Sequence, residues 1–151
     1  MVGYFDKDCF NYDYFLAKKI NNKLLIGVGK CEACLVRNYE DERGCLSAGE
    51  FPLDFPFIIK RYFFISNVPV ESKRGEHAHK ICKQFMVCIK GSCKVLLDDS
   101  KNKRIVILDS PKFGIFVPNL IWGSQFEYSP DAVLLVFASH SYDIKEYIRN
   151  Y

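Results

Sequence analysis

The sequence predicts an all-β domain. Short runs rich in valine, isoleucine and phenylalanine follow one another along the chain. Turn residues punctuate them, and no long segment carries a 3.6-residue apolar period. The runs are LLIGV (24–28), ACLVR (33–37), PFIIKRYFFIS (56–66), QFMVCIK (84–90), SCKVLLDD (92–99), RIVILD (104–109), GIFVP (114–118) and AVLLVFAS (132–139). Branched and aromatic side chains suit a pleated, half-buried surface. The breaks fall at Lys90-Gly91, Asp99-Ser100-Lys101-Asn102, Ser110-Pro111, Pro118-Asn119 and Ser129-Pro130-Asp131. Strands recurring every 8–12 residues or so suggest a sandwich or barrel. Two short stretches depart from the pattern. Tyr12 to Ile20 has room for one or two helical turns, and Ile144 to Arg149 for a terminal turn or helix.

A chain of 151 residues fits one domain and buries roughly 68–70% of its unfolded surface at that size. Residues 1–151 therefore read as a single unit without linker or repeat. Residues 1–28 form an arm, and about 29–151 form the β core. The arm's aromatics (Tyr4, Phe5, Phe10, Tyr12, Tyr14, Phe15) suggest packing against something, the alternative being a loosely attached appendage. With 49% hydrophobic residues and 15% aromatics, disorder is excluded. The net charge of +3 is spread among interspersed acids and bases, unlike a nucleic-acid footprint. No run approaches the ~20 apolar residues of a membrane span. The N-terminus carries acids and aromatics in place of a signal peptide's basic start and apolar block. A cytoplasmic protein with reduced thiols is expected. The seven cysteines then act as small hydrophobes. Cys31 and Cys34 form a C-x-x-C that no second pair completes as a zinc set.

The segment RGEHAHKICKQF, beginning at Arg74, holds two of the three histidines. In a strand, residues two apart face the same way, so His77 and His79 point together with Ala78 opposite. Imidazole handles protons near neutral pH. The spacing H-x-H-x4-Q-x6-G, from His77 through Gln84 to Gly91, resembles the first motif of the cupins, small double-stranded β-helix (jelly-roll) barrels. Metal-binding cupins have a glutamate where Gln84 stands. Their second motif supplies a further histidine, which Gly114 to Pro118 and the following residues through Gly123 lack. His140 lies beyond it. Two imidazoles and a neutral amide fall short of the three or four ligands of a catalytic zinc or iron. No metal and no cofactor are expected, and a metal-dependent dioxygenase is disfavoured.

Further residues narrow the resemblance. Asp41-Glu42-Arg43-Gly44, Pro56-Phe57-Ile58-Ile59-Lys60-Arg61, Arg74 through Lys80, Lys90-Gly91-Ser92, Leu97-Asp98-Asp99 and Tyr147-Ile148-Arg149 together resemble the nucleotide-sugar 3,4-ketoisomerases. The match runs from about Asp41 to the C-terminus. It implies a cupin barrel with a short N-terminal extension, and homodimers that exchange N-terminal strands. The substrate it implies is dTDP-4-keto-6-deoxyglucose, whose carbonyl moves from C4 to C3 through an enediol. The 3-keto product serves 3-amino-3,6-dideoxyhexose biosynthesis. By the resemblance, His77 is the base at C3 and His79 its partner. Arg43, Arg61 and Arg74 serve the diphosphate, for which the guanidinium fork is suited. Gln84 contacts substrate, and Trp122 stacks on thymine or lines the sugar pocket. Arg43 resembles the members that give the galacto product. Two positions depart from the family. A catalytic tyrosine falls at Phe63 or Phe64, with Tyr62 on the opposite face, and the usual His or Arg after Trp122 is Gly123. The alternative is a catalytically inactive nucleotide-sugar-binding cupin.

Overall fold

The computed structural model describes residues 9–151. Tyr4 and Phe5 of the predicted aromatic arm lie outside them. The chain opens with β1 (Cys9–Phe10), α1 (Tyr12–Lys18), β2 (Lys23–Leu25) and β3 (Glu32–Leu35). A hairpin of β4 (Arg37–Asp41) and β5 (Gly44–Ala48) follows. Then come β6 (Arg61–Ser66), β7 (Arg74–His79), β8 (Gln84–Lys90), β9 (Cys93–Asp98), β10 (Lys103–Leu108), β11 (Phe113–Val117), β12 (Trp122–Phe126), β13 (Val133–Ala138) and β14 (Tyr147–Ile148). One sheet runs β1-β10-β9-β12-β7-β14 and the other β2-β3-β11-β8-β13-β6. The all-β class matches the expectation. The hydrogen-bond ladders make two facing sheets rather than one closed barrel, because β6 ends one sheet and β14 ends the other. Among the described residues no helix is long and apolar enough to cross a membrane.

Several element boundaries differ from the sequence reading for local reasons. β2 stops at Leu25 because Gly27 takes a φ of +86°, outside strand geometry, while Ile26 and Val28 still bury their side chains. The run 56–66 forms a strand only from Arg61. Its first half instead lays Phe57 and Ile59 on the outer face of the second sheet, against Phe85, Phe116 and Phe137. That second cluster explains why β8 is buried on both faces from Gln84 to Cys88. The helical stretch near Tyr12 is α1, capped by the Asn11 side chain accepting from the Tyr14 N–H at 2.9 Å. Ile144–Glu146 makes a single 3₁₀ turn before the chain extends as β14.

The described part of the arm is not an appendage. Phe15 is fully buried, and its ring stacks on Phe113 of β11 at 5.6 Å. Phe10 joins the same core, which fills the space between the sheets with Val95, Leu97, Val106, Leu108, Ile115 and Leu134. β1 extends the first sheet by pairing in parallel with β10. An amphipathic helix of seven residues is too short to persist alone, so its stability comes from this docking. Phe15→Ala is therefore expected to lower the unfolding free energy by about 3–5 kcal/mol in urea titrations. Leu16→Ala on the outer face should cost less than about 0.5 kcal/mol. Equal effects would show that α1 does not contribute to the core.

Candidate active site

β7 carries the histidines. It pairs with β12 on one side, Gly123 facing His77 and Gln125 facing Arg74, and with β14 on the other, Tyr147 facing His79. The strand is distorted at its start, where Gly75 and Glu76 have positive φ of +80° and +56°. Beyond the kink the alternation is regular. His77 and His79 face inward, and Ala78 packs on the other side near Trp122 and Ile148. The imidazoles meet edge to face, with Nε2 of His77 3.2 Å from Nε2 of His79.

Hydrogen-bond partners fix the tautomers. Nδ1 of His77 lies 2.8 Å from the Gly75 carbonyl, which can only accept, so this nitrogen holds the proton. In the neutral ring, Nε2 of His77 then bears a lone pair. It accepts from Nε2–H of His79, which leaves the lone pair on His79 Nδ1. That buried atom has no partner among the described residues. Both rings resist protonation. Burial holds His77 below its ordinary value, the nearby Arg149 adding to the effect while the Gly75 carbonyl opposes it. Burial, then proximity to His77, pushes His79 down to about 4, against the pull of Glu146. Glu146 accepts from the backbone N–H groups of Ile81 and Cys82 at 3.1 and 2.8 Å, fixing the loop after β7.

A cavity of about 370 Å³ opens between the two sheets at the β6 and β14 edges. One wall is Phe63 and Ile65 of β6, Gln84 and Met86 of β8, and Val136 of β13. Arg74, Gly75 and His77 of β7, Gln125 of β12, and Tyr147 and Arg149 make the other. His79 is absent from this lining. It meets His77 across a narrow space of about 10 Å³ beneath. His77 therefore faces the volume a ligand would fill, and His79 backs it. The Tyr147 ring lies 4.7 Å from both imidazoles.

The cations fall into two groups. Arg61 spreads its guanidinium over Phe63 and Tyr142, at 5.3 and 5.5 Å. Its buried Nε has no hydrogen-bond partner among the described residues. Arg74 and Arg149 line the cavity with Lys73, and among the described residues none of these four cations pairs with a carboxylate. Arg43 differs. It sits at the turn of the β4–β5 hairpin, exposed and paired with Asp41, and does not line the histidine cavity. Trp122 also lies elsewhere, on the far face of β12, with its ring edge-on to Tyr151 at 4.9 Å. Of the residues singled out from sequence, the chain thus gathers His77, His79, Arg74 and Gln84, with Arg61 beside them. It leaves Arg43 and Trp122 apart. Phe63 faces the cavity where the family tyrosine was expected, and Tyr62 and Phe64 point outward. Phenols enter the cavity from the C-terminal segment instead, as Tyr142 and Tyr147. The alternation Tyr147-Ile148-Arg149 was the available signal for two of the missed residues. Lys73 and Gln125 carried none. Among the described residues no group of three or more His, Cys, Asp or Glu side chains converges as a metal site requires.

Comparison with known proteins bears on this geometry. The family model described as FdtA: WxcM-like, C-terminal, matches residues 29–151. A relative from Aneurinibacillus thermoaerophilus, a TDP-4-oxo-6-deoxy-alpha-D-glucose-3,4-oxoisomerase, is 43% identical over 111 residues, covering 74% of this chain and 80% of its own length. The QdtA sugar 3,4-ketoisomerase of Thermoanaerobacterium thermosaccharolyticum, solved with TDP, superposes with a TM-score of 0.78 at 36% identity, over 80% of this chain and 88% of that one. The WlaRB TDP-quinovose 3,4-ketoisomerase of Campylobacter jejuni gives 0.79 at 36%, over 82% and 95%.

The lowered histidine pKa has a measurable consequence. Between its folded value near 4 and the ordinary 6.5, His79 binds a proton in the unfolded chain but not in the folded one. The associated stability is full above pH 6.5 and falls as pH drops through that window. The urea midpoint should therefore decline from pH 7 to 4.5, and His79→Gln should flatten the decline. A histidine ring titrating by NMR near 6.5 at this position would contradict the burial argument.

Proposed function

Because the chain belongs to the FdtA family (WxcM-like, C-terminal), we propose that it is a TDP-sugar 3,4-ketoisomerase acting on TDP-4-keto-6-deoxyglucose by histidine acid–base chemistry. The observation that carries the reading is one neutral imidazole, backed by a second, facing a cavity rimmed by cations that have no carboxylate partner among the described residues. Structural arginines are normally paired, whereas a diphosphate needs donors that are free. Arg74, Arg149 and Lys73 are available to the diphosphate, with Arg61 beside them.

The chemistry follows from the tautomers. The C4 carbonyl acidifies the C3 hydrogen. Nε2 of His77 takes that proton, the C–H pair forms a C3–C4 double bond, and the carbonyl pair moves onto O4. Once His77 is protonated at Nε2, His79 can no longer donate to it. The Nε2–H of His79 is then released from the pair. The 3.2 Å contact lies at the long end of the hydrogen-bond range and yields readily. Return of a proton to C4, with loss of the O3 proton and gain of one on O4 along the way, gives the 3-ketone. Atoms and electrons balance without an oxidant. Both histidines stay neutral at physiological pH, as a base must.

The galacto configuration at C4 is the product we favour, on the resemblance carried by Arg43. The 3-ketone suits a transaminase that installs an amine at C3, in deoxysugar biosynthesis. We further propose a homodimer. Exposed Tyr62, Phe64 and Ile89, with Leu46 of the β4–β5 hairpin, offer apolar surface for a second copy. Arg43 on that hairpin would then serve a partner's cavity rather than its own.

The deciding experiment incubates metal-stripped protein with TDP-4-keto-6-deoxyglucose in D2O and follows C3 and C4 by proton NMR. Deuterium uptake and a 3-keto product are expected, and the C4 configuration is read directly. Binding without exchange would favour the inactive binding protein. Activity restored only by iron or zinc would refute the metal-free mechanism. His77→Asn should lower turnover by about 10²–10⁴-fold, and full activity in that variant would rule out His77 as the base.

A further inference from the structure

Gln125 is only 6% exposed, yet its carboxamide makes no hydrogen bond among the described residues. Its amide atoms are not sealed in as the unpaired Tyr128 hydroxyl is; they open onto accessible space and stay available to a ligand. Their location shows where. Gln125 lines both the large cavity and the narrow space under the histidines. Its Nε2 and Oε1 lie 2.9 and 3.0 Å from where a Cβ on Gly75 would stand. A Cβ there would crowd the amide head and would also meet the Gly123 carbonyl at 2.9 Å, a backbone atom that cannot turn aside. The carbonyl of the same Gly75 receives the Nδ1 proton of His77. One residue therefore sets the positions of both the imidazole and the amide.

Gly123 sharpens the point. It lies opposite His77 in the ladder, and a Cβ there would meet only Gln125 Nε2, at 3.8 Å. The position contributes no side chain of its own. The Gln125 amide is the polar group that β12 presents beside the base.

We infer that Gln125 is a substrate-contacting catalytic residue, whose Nε2–H donates to the sugar oxygen that gains negative charge when C3 is deprotonated. The inference rests on the isomerase reading above. A neutral amide is well suited to the task. It is fixed before reaction, does not titrate, and acts in a partly water-excluded site where a bond to developing charge is strong. The bond strengthens as O4 goes from ketone to enediolate, so its effect falls on turnover rather than on ground-state binding. Gln84, on the facing wall, is likewise a nearly buried residue whose amide makes no hydrogen bond among the described residues, and it is positioned for the other side of the sugar.

The test compares the unaltered protein with Gln125→Leu, of similar volume, and Gln125→Glu. C3 deuterium exchange in Gln125→Leu should fall on the order of 10²-fold, as for loss of one oxyanion donor, with the TDP dissociation constant and the pH profile nearly unchanged. Gln125→Glu should be slower still, since a carboxylate repels the enediolate. Exchange within about twofold of the parent in a Gln125→Leu protein that still binds TDP would overturn the inference alone. Absence of exchange in the unaltered protein would overturn the isomerase reading with it. A measurement on the unaltered chain guards against variants that do not fold. The side-chain NH2 signals of Gln125 in ¹⁵N-labelled protein should shift on adding TDP-6-deoxyglucose, but not on adding TDP alone. Identical spectra with the two ligands would also overturn it.

Discussion

The bond from Nδ1 of His77 to the Gly75 carbonyl sets the tautomers of the histidine pair. It commits one imidazole proton to the backbone, which leaves the basic lone pair on the nitrogen facing the cavity and His79. It forms only because β7 is kinked. Positive φ at Gly75 and Glu76 turns the Gly75 carbonyl back toward its own strand, and the missing Cβ admits the Gln125 amide from the neighbouring strand. A side chain at this position would strain the backbone and strike the Gly123 carbonyl, 2.9 Å away, as well as crowd the amide. Both imidazoles and the amide are thus held by one irregularity in the first sheet.

Around that point the protein uses burial as its main tool. The histidine cavity is polar, but it is walled by Phe63, Ile65, Met86 and Val136, and the core of both sheets lies directly behind it. Desolvation keeps the imidazoles neutral, and Arg149 near His77 and Arg61 near His79 reinforce this by opposing added positive charge. The same cations favour an anionic ligand, so one charge arrangement keeps the imidazoles neutral and suits an anionic group. The C-terminal segment is part of this machinery. β14 adds only Tyr147 and Ile148 to the sheet edge, yet brings the Tyr147 ring against both histidines and Arg149 to the rim. The cation–π contact of Arg149 over Tyr147, at 5.0 Å, ties the two together.

Arg43 and Trp122 show how the isolated chain differs from the full site implied by family resemblance. Arg43 has a carboxylate partner of its own and sits on a two-stranded hairpin that belongs to neither large sheet. Trp122 occupies the reverse face of the strand that carries Gln125, because alternate residues of β12 point to opposite sides. Residue type alone does not say which cavity a side chain can reach; the hairpin turn decides it for Arg43 and the strand face for Trp122.

The all-β class, most of the strands and the histidine pair were legible in the sequence, because each depends on local spacing. Period-two alternation marks strands, turn residues mark their ends, and i, i+2 histidines share a face whatever surrounds them. The strands absent from the predicted runs, β1, β4, β5, β7, β12 and β14, are short, polar or interrupted, and carry little apolar alternation. The Phe15–Phe113 stacking, which makes the arm part of the core, joins residues nearly a hundred positions apart. The division of labour between His77 and His79, the withdrawal of Trp122 and the arrival of Gln125, Tyr147 and Arg149 were likewise decided only by the tertiary structure. Each depends on which strands lie side by side and on where β7 kinks. Those are properties of contacts distant in sequence, while the residue pattern fixes only what each strand has to offer.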